Sequence, residues 1–288
     1  PDSGHIQEIE VAQLNRRNAR RGREEVTPIY TAEDAVAAMA RFRPIPYRTW
    51  QRIAEGVRIR FWNAGHLLGS ASVEMEIARE EKPLRLLFSG DIGPNDKLLQ
   101  YDPVAPKDWD HVICESTYGD VDREGVNDTR RRGALRAEVK AAHRPDGVLL
   151  IPSFAVERTQ ELLADLALLM DSGEIPTAPI FIDSPLASRA TRVFADHVGE
   201  LENGDLLVRA LSAKNVRFTE SVEQSKALDS QRGFHIVIAA SGMCEAGRIR
   251  HRLKNWLWRE EATVLLVGYQ AAGTLGRVLA EGASVVRI

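Results

Sequence analysis

Three short segments place side chains able to bind a metal or steer a proton directly after apolar runs. His66 lies in Ala64-Gly65-His66-Leu67-Leu68-Gly69-Ser70, past the run 57–63, with a glycine on either side that lets backbone approach closely. An imidazole there suits a divalent ion, one ring nitrogen binding and the other taking its orientation from a neighbour. Taken alone, the same residue also reads as a hydrogen-bonded loop histidine. Asp91 follows in Ser89-Gly90-Asp91-Ile92-Gly93, where the apolar run 84–88 gives out. Its carboxylate can bridge two metal ions, or close a turn by accepting from nearby N–H groups. Glu115, in Glu115-Ser116-Thr117-Tyr118-Gly119, is a third acidic strand end, fit to orient a general acid or a metal-bound water, or to cap a turn. Three such ends along one sheet edge would make a site where open sheets place their chemistry.

A second set of loops suits anions. Pro152-Ser153-Phe154, Asp183-Ser184-Pro185, Ser241-Gly242-Met243 and Gly268-Tyr269-Gln270 each follow an apolar run and precede a helical pattern. Backbone N–H groups and hydroxyls at such positions hold phosphate oxygens, although ordinary strand-to-helix turns use the same residues. Basic clusters occur at Arg16, Arg17, Arg20, Arg21 and Arg23, at Arg130–Arg132, and at Arg248, Arg250, Arg252 and Lys254. They read either as phosphate-tracking patches or as solvated helix faces. The last is best placed for phosphate, since it follows Ser241 and Gly242 directly.

These residues need a scaffold. Between 57 and 117 the chain reads as consecutive strands, at 57–63, 72–78, 84–89 and 111–116, parted by Gly- and Pro-bearing turns, which predicts an antiparallel sheet. After residue 120 strands alternate with helices. Apolar runs at 147–152, 179–183, 235–239 and 263–267 lead into helical patterns at 156–170, 186–197, 245–258 and 274–280. That alternation predicts a mainly parallel sheet covered on both faces, an α/β domain. In the first 50 residues, Asp2 or Ser3 is expected to cap one helix and Thr31 or Asp34 a second bearing Ala35, Val36 and Met39 on one face.

Composition sets the outer bounds. With 288 residues, 44% hydrophobic and 27% charged, the chain can bury a substantial core and is expected to form two domains. A net charge of -3 excludes a uniformly basic nucleic-acid binder, so any such contact must be local. Two cysteines, Cys114 and Cys244, in strand-like contexts argue against a disulfide framework and for a reducing, cytoplasmic setting. No run approaches a membrane span and no signal pattern opens the chain, so no membrane association is expected. The start at Pro1 and the stop inside the apolar run 283–288 read as cuts in a longer protein.

In order, the motifs 64–70, 89–93, 115–119, 151–162, 183–187, 240–251 and 267–276 resemble the β-CASP branch of the metallo-β-lactamase superfamily. These are RNA-processing nucleases related to the endonuclease subunit of the mRNA 3′-end cleavage machinery. The resemblance implies an α/β fold: a partial metallo-β-lactamase αββα sandwich over 1–119 and an inserted β-CASP domain over 120–288. It implies that His66 and Asp91 are metal ligands, Asp91 bridging two zinc ions, and that Asp91 and Glu115 serve catalysis. Ser153, Arg158, Ser241, Gly242, Arg248 and Arg250 are expected to contact RNA phosphates.

The implied reaction is zinc-dependent hydrolysis of RNA, with a homodimer kept open. A non-catalytic RNA-binding scaffold is the alternative, and a DNA-directed nuclease ranks third. The family's His-x-His-x-Asp-His motif is not in this chain and would precede Pro1, while its later histidines would follow Ile288, so poor zinc occupancy is expected of the chain alone. Glu157 stands where the family usually has glycine, and its carboxylate is expected to repel phosphate at that loop.

Overall fold

Two helices, α1 (Asp2–Arg20) and α2 (Ala32–Met39), form the first unit, Pro1–Pro46, of the computed structural model, which describes residues 1–288. Asp2 and Ser3 do not cap α1. The N-cap is Pro1, which offers no side-chain acceptor, and Asp2 sits in the first turn, where a negative charge favours the helix dipole. Thr31 caps α2 in a reciprocal pair: its hydroxyl accepts from the Asp34 N–H and the Asp34 carboxylate accepts from the Thr31 N–H. The expected apolar face of α2 is present, with Val36 and Met39 exposed.

The second unit, Tyr47–Ile288, holds two five-stranded sheets. The first runs β1 (Gln51–Ala54), β2 (Val57–Asn63), β3 (Ala71–Ile77), β4 (Leu84–Phe88) and β5 (His111–Ile113) in spatial order. β1 to β4 form an antiparallel meander, but β5 pairs with β4 in parallel, which corrects the expectation of a wholly antiparallel sheet. The cause is the long connection 89–110, which carries the chain back to the start of β4 before β5 begins, as a parallel pair requires.

Period-two alternation sorts the two faces. Val57, Ile59 and Phe61 share one with Val73, Met75, Ile77, Leu84, Leu86 and Phe88, by register. The other carries ion pairs Arg58–Glu76 at 2.7 Å, Arg60–Glu74 at 2.6 Å and Arg85–Glu74 at 2.7 Å. Trp50 lies beneath the guanidinium groups of Arg58 and Arg60, and Trp62 beneath that of Arg60.

The second sheet is parallel throughout, in the order β10 (Ala262–Val264), β6 (Val148–Pro152), β9 (His235–Ala239), β7 (Ile180–Ile182) and β8 (Val216–Phe218). Its helices are α3 (Asp128–Ala142), α4 (Arg158–Asp171), α5 (Pro185–Asp196), α6 (Gly204–Ser212), α7 (Val222–Ala227), α8 (Arg248–Trp256) and α9 (Leu275–Ala280). β6, β7 and β9 are buried along their whole length, as their continuous apolar runs require. Leu149, Ile151, Ile236 and Ile238 pack with Leu163, Leu166 and Leu169 of α4, while Leu150 and Val237 pack with Ile249, Leu253 and Trp256 of α8. The fold class is the expected α/β, with a parallel sheet covered by helices after residue 120, while the first sheet is mixed rather than antiparallel throughout. Leu98 and Leu99 of the connection 89–110 join Ala164, Phe194 and Leu207 in a third cluster that ties the two sheets together. No helix is long and apolar enough to cross a membrane.

Candidate functional site

β2 and β4 both run antiparallel to β3, and β5 runs parallel to β4, so the C-terminal ends of β2, β4 and β5 lie at one edge. The loops leaving them carry His66, Asp91 and Glu115. The Ser70 hydroxyl accepts from the N–H groups of His66 and Leu67, at 3.0 and 3.1 Å, and folds the first loop. The Gly93 N–H donates to the Ala64 carbonyl at 2.8 Å, and a Cβ on Gly93 would sit 1.9 Å from the Gly65 oxygen. Only glycine lets these two loops touch backbone to backbone. The contact sets His66 Nε2 at 4.0 Å from Asp91 Oδ2. Glu115 completes the edge, one carboxylate oxygen accepting from the Ile92 N–H at 2.9 Å and the other from the Thr117 N–H at 3.1 Å.

The electrostatics follow from these neighbours. Burial lowers the His66 pKa and the charge of Lys97 lowers it further, while Asp91 and Glu115 oppose both. The imidazole is thus neutral near pH 7, the form that binds a metal or accepts a proton. Hydrogen bonds from Thr117 and from the Ile92 N–H hold the Glu115 carboxyl below its usual range.

A metal site can be tested on these donors. Neutral His66 and exposed Asp91 are suitable ligands, but no group of three or more His, Cys, Asp or Glu side chains able to hold an ion forms. Glu115, whose charge also acts on His66, spends both oxygens on backbone N–H groups. Zinc needs about three or four protein ligands. The chain by itself supplies two and does not fit the ion.

The parallel sheet offers its own strand exits to the same region. Phe154, after β6, lies between the exits of β9 and β10: a Cβ on Gly242 would meet its ring at 2.9 Å, and one on Gly268 at 3.5 Å. Tyr269, beyond β10, meets Tyr118 of the Glu115 loop edge to face at 5.5 Å, so the exit edges of the two sheets adjoin.

The residues expected at phosphate divide into two groups. Arg158 is half-buried, close enough to His66 for its charge to lower the imidazole pKa, and Arg250 is exposed with one N–H on the Glu245 carbonyl at 3.0 Å. Ser241 folds its own loop, its hydroxyl accepting from the Ala246 N–H at 3.3 Å, and Gly242 receives the Gln270 amide on its carbonyl at 3.0 Å. Ser153 is buried against Thr159, at 3.2 Å. Arg248 donates to Asp183 at 3.0 Å and to the Thr219 carbonyl at 2.9 Å, beside Arg252, which grips the same carboxylate at 2.8 Å. Arg131 and Arg132 likewise pair with Asp128 and Asp165.

Glu157 does not present its charge to solvent. It is buried, accepting from Lys97 Nζ at 2.8 Å and from the Gln100 amide at 3.0 Å, so the expected repulsion of phosphate is replaced by an internal ion pair. Burial pushes its carboxyl up to about 7, against the lowering effect of Lys97. Lys97 also donates to the His66 carbonyl at 2.6 Å, linking the start of α4 to the His66 loop. Sequence reading passed over Lys97, whose partner lies 60 positions away.

Residues 159–279 match the family model described as Beta-Casp domain. This chain carries a β-CASP domain. With it come whole-chain likenesses. Over 267 residues the chain is 35% identical to Ribonuclease TTHA0252 of Thermus thermophilus, covering 91% of this chain and 60% of that protein. It is 31% identical to an RNase J-like protein of Methanocaldococcus jannaschii, covering 91% of this chain and 61% of the relative. It is 29% identical to Endoribonuclease YSH1 of Kluyveromyces lactis, covering 87% of this chain and 33% of the relative. The chain thus spans about three fifths of the first two relatives. The β-CASP match begins one residue after Arg158 and takes in the Ser241, Gly242 and Tyr269 loops.

Proposed function

We propose that this chain is part of an enzyme that hydrolyses RNA phosphodiester bonds in RNA processing or decay, in a cytoplasmic setting. The observation that carries the reading is the meeting of His66, Asp91 and Glu115 with the strand exits of the β-CASP sheet, joined through Lys97. In this reading Arg158 and Arg250 neutralise backbone phosphates, with the Ser241–Gly242 loop beside them, while Ser153 and Arg248 keep those loops in shape. His66 and Asp91 contribute two ligands to a zinc site whose other ligands lie outside these 288 residues. The names of the relatives, ribonuclease and endoribonuclease, support the choice of RNA as substrate.

One observation favours a second reading, a non-catalytic RNA-binding scaffold: the two-donor site is too sparse to hold an ion. Zinc analysis and RNA cleavage on this chain, and on a version with flanking sequence from the same gene, separate the two. The enzyme reading expects about two zinc ions and cleavage in the longer protein only, with both lost in its His66→Ala variant. A longer protein that binds RNA but neither holds zinc nor cuts would establish the scaffold. Light scattering on the same samples reports whether a homodimer forms.

A further inference from the structure

Two of the three arginine clusters in the sequence are largely spent inside the protein. Arg131 and Arg132 pair with Asp128 and Asp165, and Arg248 and Arg252 pair with Asp183. The third is free. Arg16, Arg17, Arg20, Arg21 and Arg23, at the end of α1 in the first unit, are all exposed and none forms an ion pair. No acidic residue occurs from Val11 to Arg23, and Glu24 and Glu25, which follow at once, pair with none of the five. The negative end of a helix favours positive charge in its last turn, which accounts for Arg17 and Arg20. It does not account for five, since like charges four apart, such as Arg16 and Arg20, destabilise a helix.

Two asparagines nevertheless draw more of the charge together. The Asn18 carbonyl accepts from the N–H groups of Arg21 and Arg23 at 2.9 and 3.0 Å, and its buried side chain donates to the Glu24 carbonyl at 3.0 Å. Asn15 donates to the Val26 carbonyl at 2.8 Å and accepts from the Val26 N–H at 2.9 Å. The segment 21–26 is thereby folded back on the last turns of α1, carrying Arg21 and Arg23 with it. A patch fixed in this way binds without first having to order its backbone.

Its chemistry points to phosphate. All five cations are arginine, whose forked N–H groups match two phosphate oxygens at once. Residues 15–25 carry no apolar side chain larger than alanine, whereas a helix lying on a membrane sets Trp, Phe or Leu beside its charges. Arg16 and Arg20 are separated by about 6 Å of helix rise, so the cluster can meet several phosphates of one strand.

We infer that the arginine end of α1 is a second RNA-contacting surface, which grips the phosphate backbone without reading sequence. This rests on RNA being the substrate and adds a contact made by a different part of the chain from Arg158 and Arg250. The test is fluorescence anisotropy of a labelled single-stranded RNA of about 16 nucleotides with the full chain across a range of salt concentrations. Replacing Arg16, Arg17 and Arg20 together by glutamine, an equally good helix former, is expected to weaken binding at least about tenfold near 0.1 M salt and to reduce the log–log salt slope by about 2. Arg21→Gln with Arg23→Gln, outside the helix, is expected to reduce the slope by about 1.4, and serves if the triple variant melts early. Arg158→Gln with Arg250→Gln on the same RNA reports the strand-exit contact separately, and cleavage by the longer protein reports the hydrolase reading, so each can fail alone. Unchanged affinity and slope in both α1 variants, or no RNA binding by the folded wild type at low salt, would overturn the inference. So would sedimentation with phosphatidylserine vesicles that the α1 variants lose while keeping RNA binding, which would make the cluster a membrane contact.

Discussion

Lys97 satisfies two acceptors with one ammonium group, the Glu157 carboxylate and the His66 carbonyl, in a setting where neither charge reaches water. Breaking a buried pair costs more than making one gains, because the survivor keeps its desolvation penalty. Lys97→Met is therefore expected to lose about 3–5 kcal/mol near neutral pH, read by urea unfolding; a loss under about 1 kcal/mol would mean the pair is solvated. The sign for Glu157 follows from its raised pKa. Between 4.5 and about 7 the native carboxyl keeps a proton that the unfolded one has released. Its contribution is thus fully present below 4.5 and lost as pH rises to about 7. Wild type should lose up to roughly 3 kcal/mol more than Glu157→Gln across that window, and parallel stability curves would refute it. Asp183 makes the same point in the β-CASP domain. Asp183→Ala leaves Arg252, 2% exposed, with Asp229 as its remaining charged partner and strips Arg248 of its carboxylate, and should cost about 3 kcal/mol, checked by the midpoint of chemical unfolding.

At the scale of loops and strands, the contact between the His66 and Asp91 loops is steric before it is electrostatic. Gly93→Ala drives a methyl group into the Gly65 carbonyl and must part the loops. RNA cleavage by the longer protein should fall by well over about tenfold, since a displacement near 1 Å at a site costs more than that, while the melting temperature of the parallel sheet barely moves. Full activity in that variant would dissociate the loop contact from the site.

Much of this scale was legible in the sequence. His66, Asp91 and Glu115 each terminate an apolar run beside glycine or a small residue, and the runs 147–152 and 235–239 are buried strands as read. What escaped shares a cause, dependence on partners distant in the chain. The three-residue β8 and the short α6 lack enough periodicity to register, and α3 carries three arginines whose carboxylate partners include Asp165 of α4. The direction of β5 is invisible because alternation is the same for parallel and antiparallel strands. α8 starts at Arg248, later than 245, because the Ser241 N–H donates to the Ala246 carbonyl, closing 241–246 into a loop, and Gly247 takes φ +77°.

Across the whole molecule, the two sheets differ in protection. β6, β7 and β9 are buried on both faces, whereas every residue of β1 and β5 is exposed. Local opening follows burial, so amides of β6 and β9 should exchange only with global unfolding, and those of β1 and β5 orders of magnitude faster. Native-state hydrogen exchange followed by mass spectrometry reads this directly; uniform protection of both sheets would refute it. The short edge strands also limit pairing with other chains.

The Lys97–Glu157 pair carries a further lesson for comparing sequences. Glu157 holds φ +69°, a backbone shape in which glycine is at ease and a larger residue is not. A lineage could drift to glycine at 157 and relax the backbone, but only if position 97 gave up its charge in the same interval. Positions 97 and 157 should therefore change together through ancestry, as Lys with Glu or as an uncharged residue with Gly. The mixed combinations would be rare and, when built by hand, less stable than the sum of their parts.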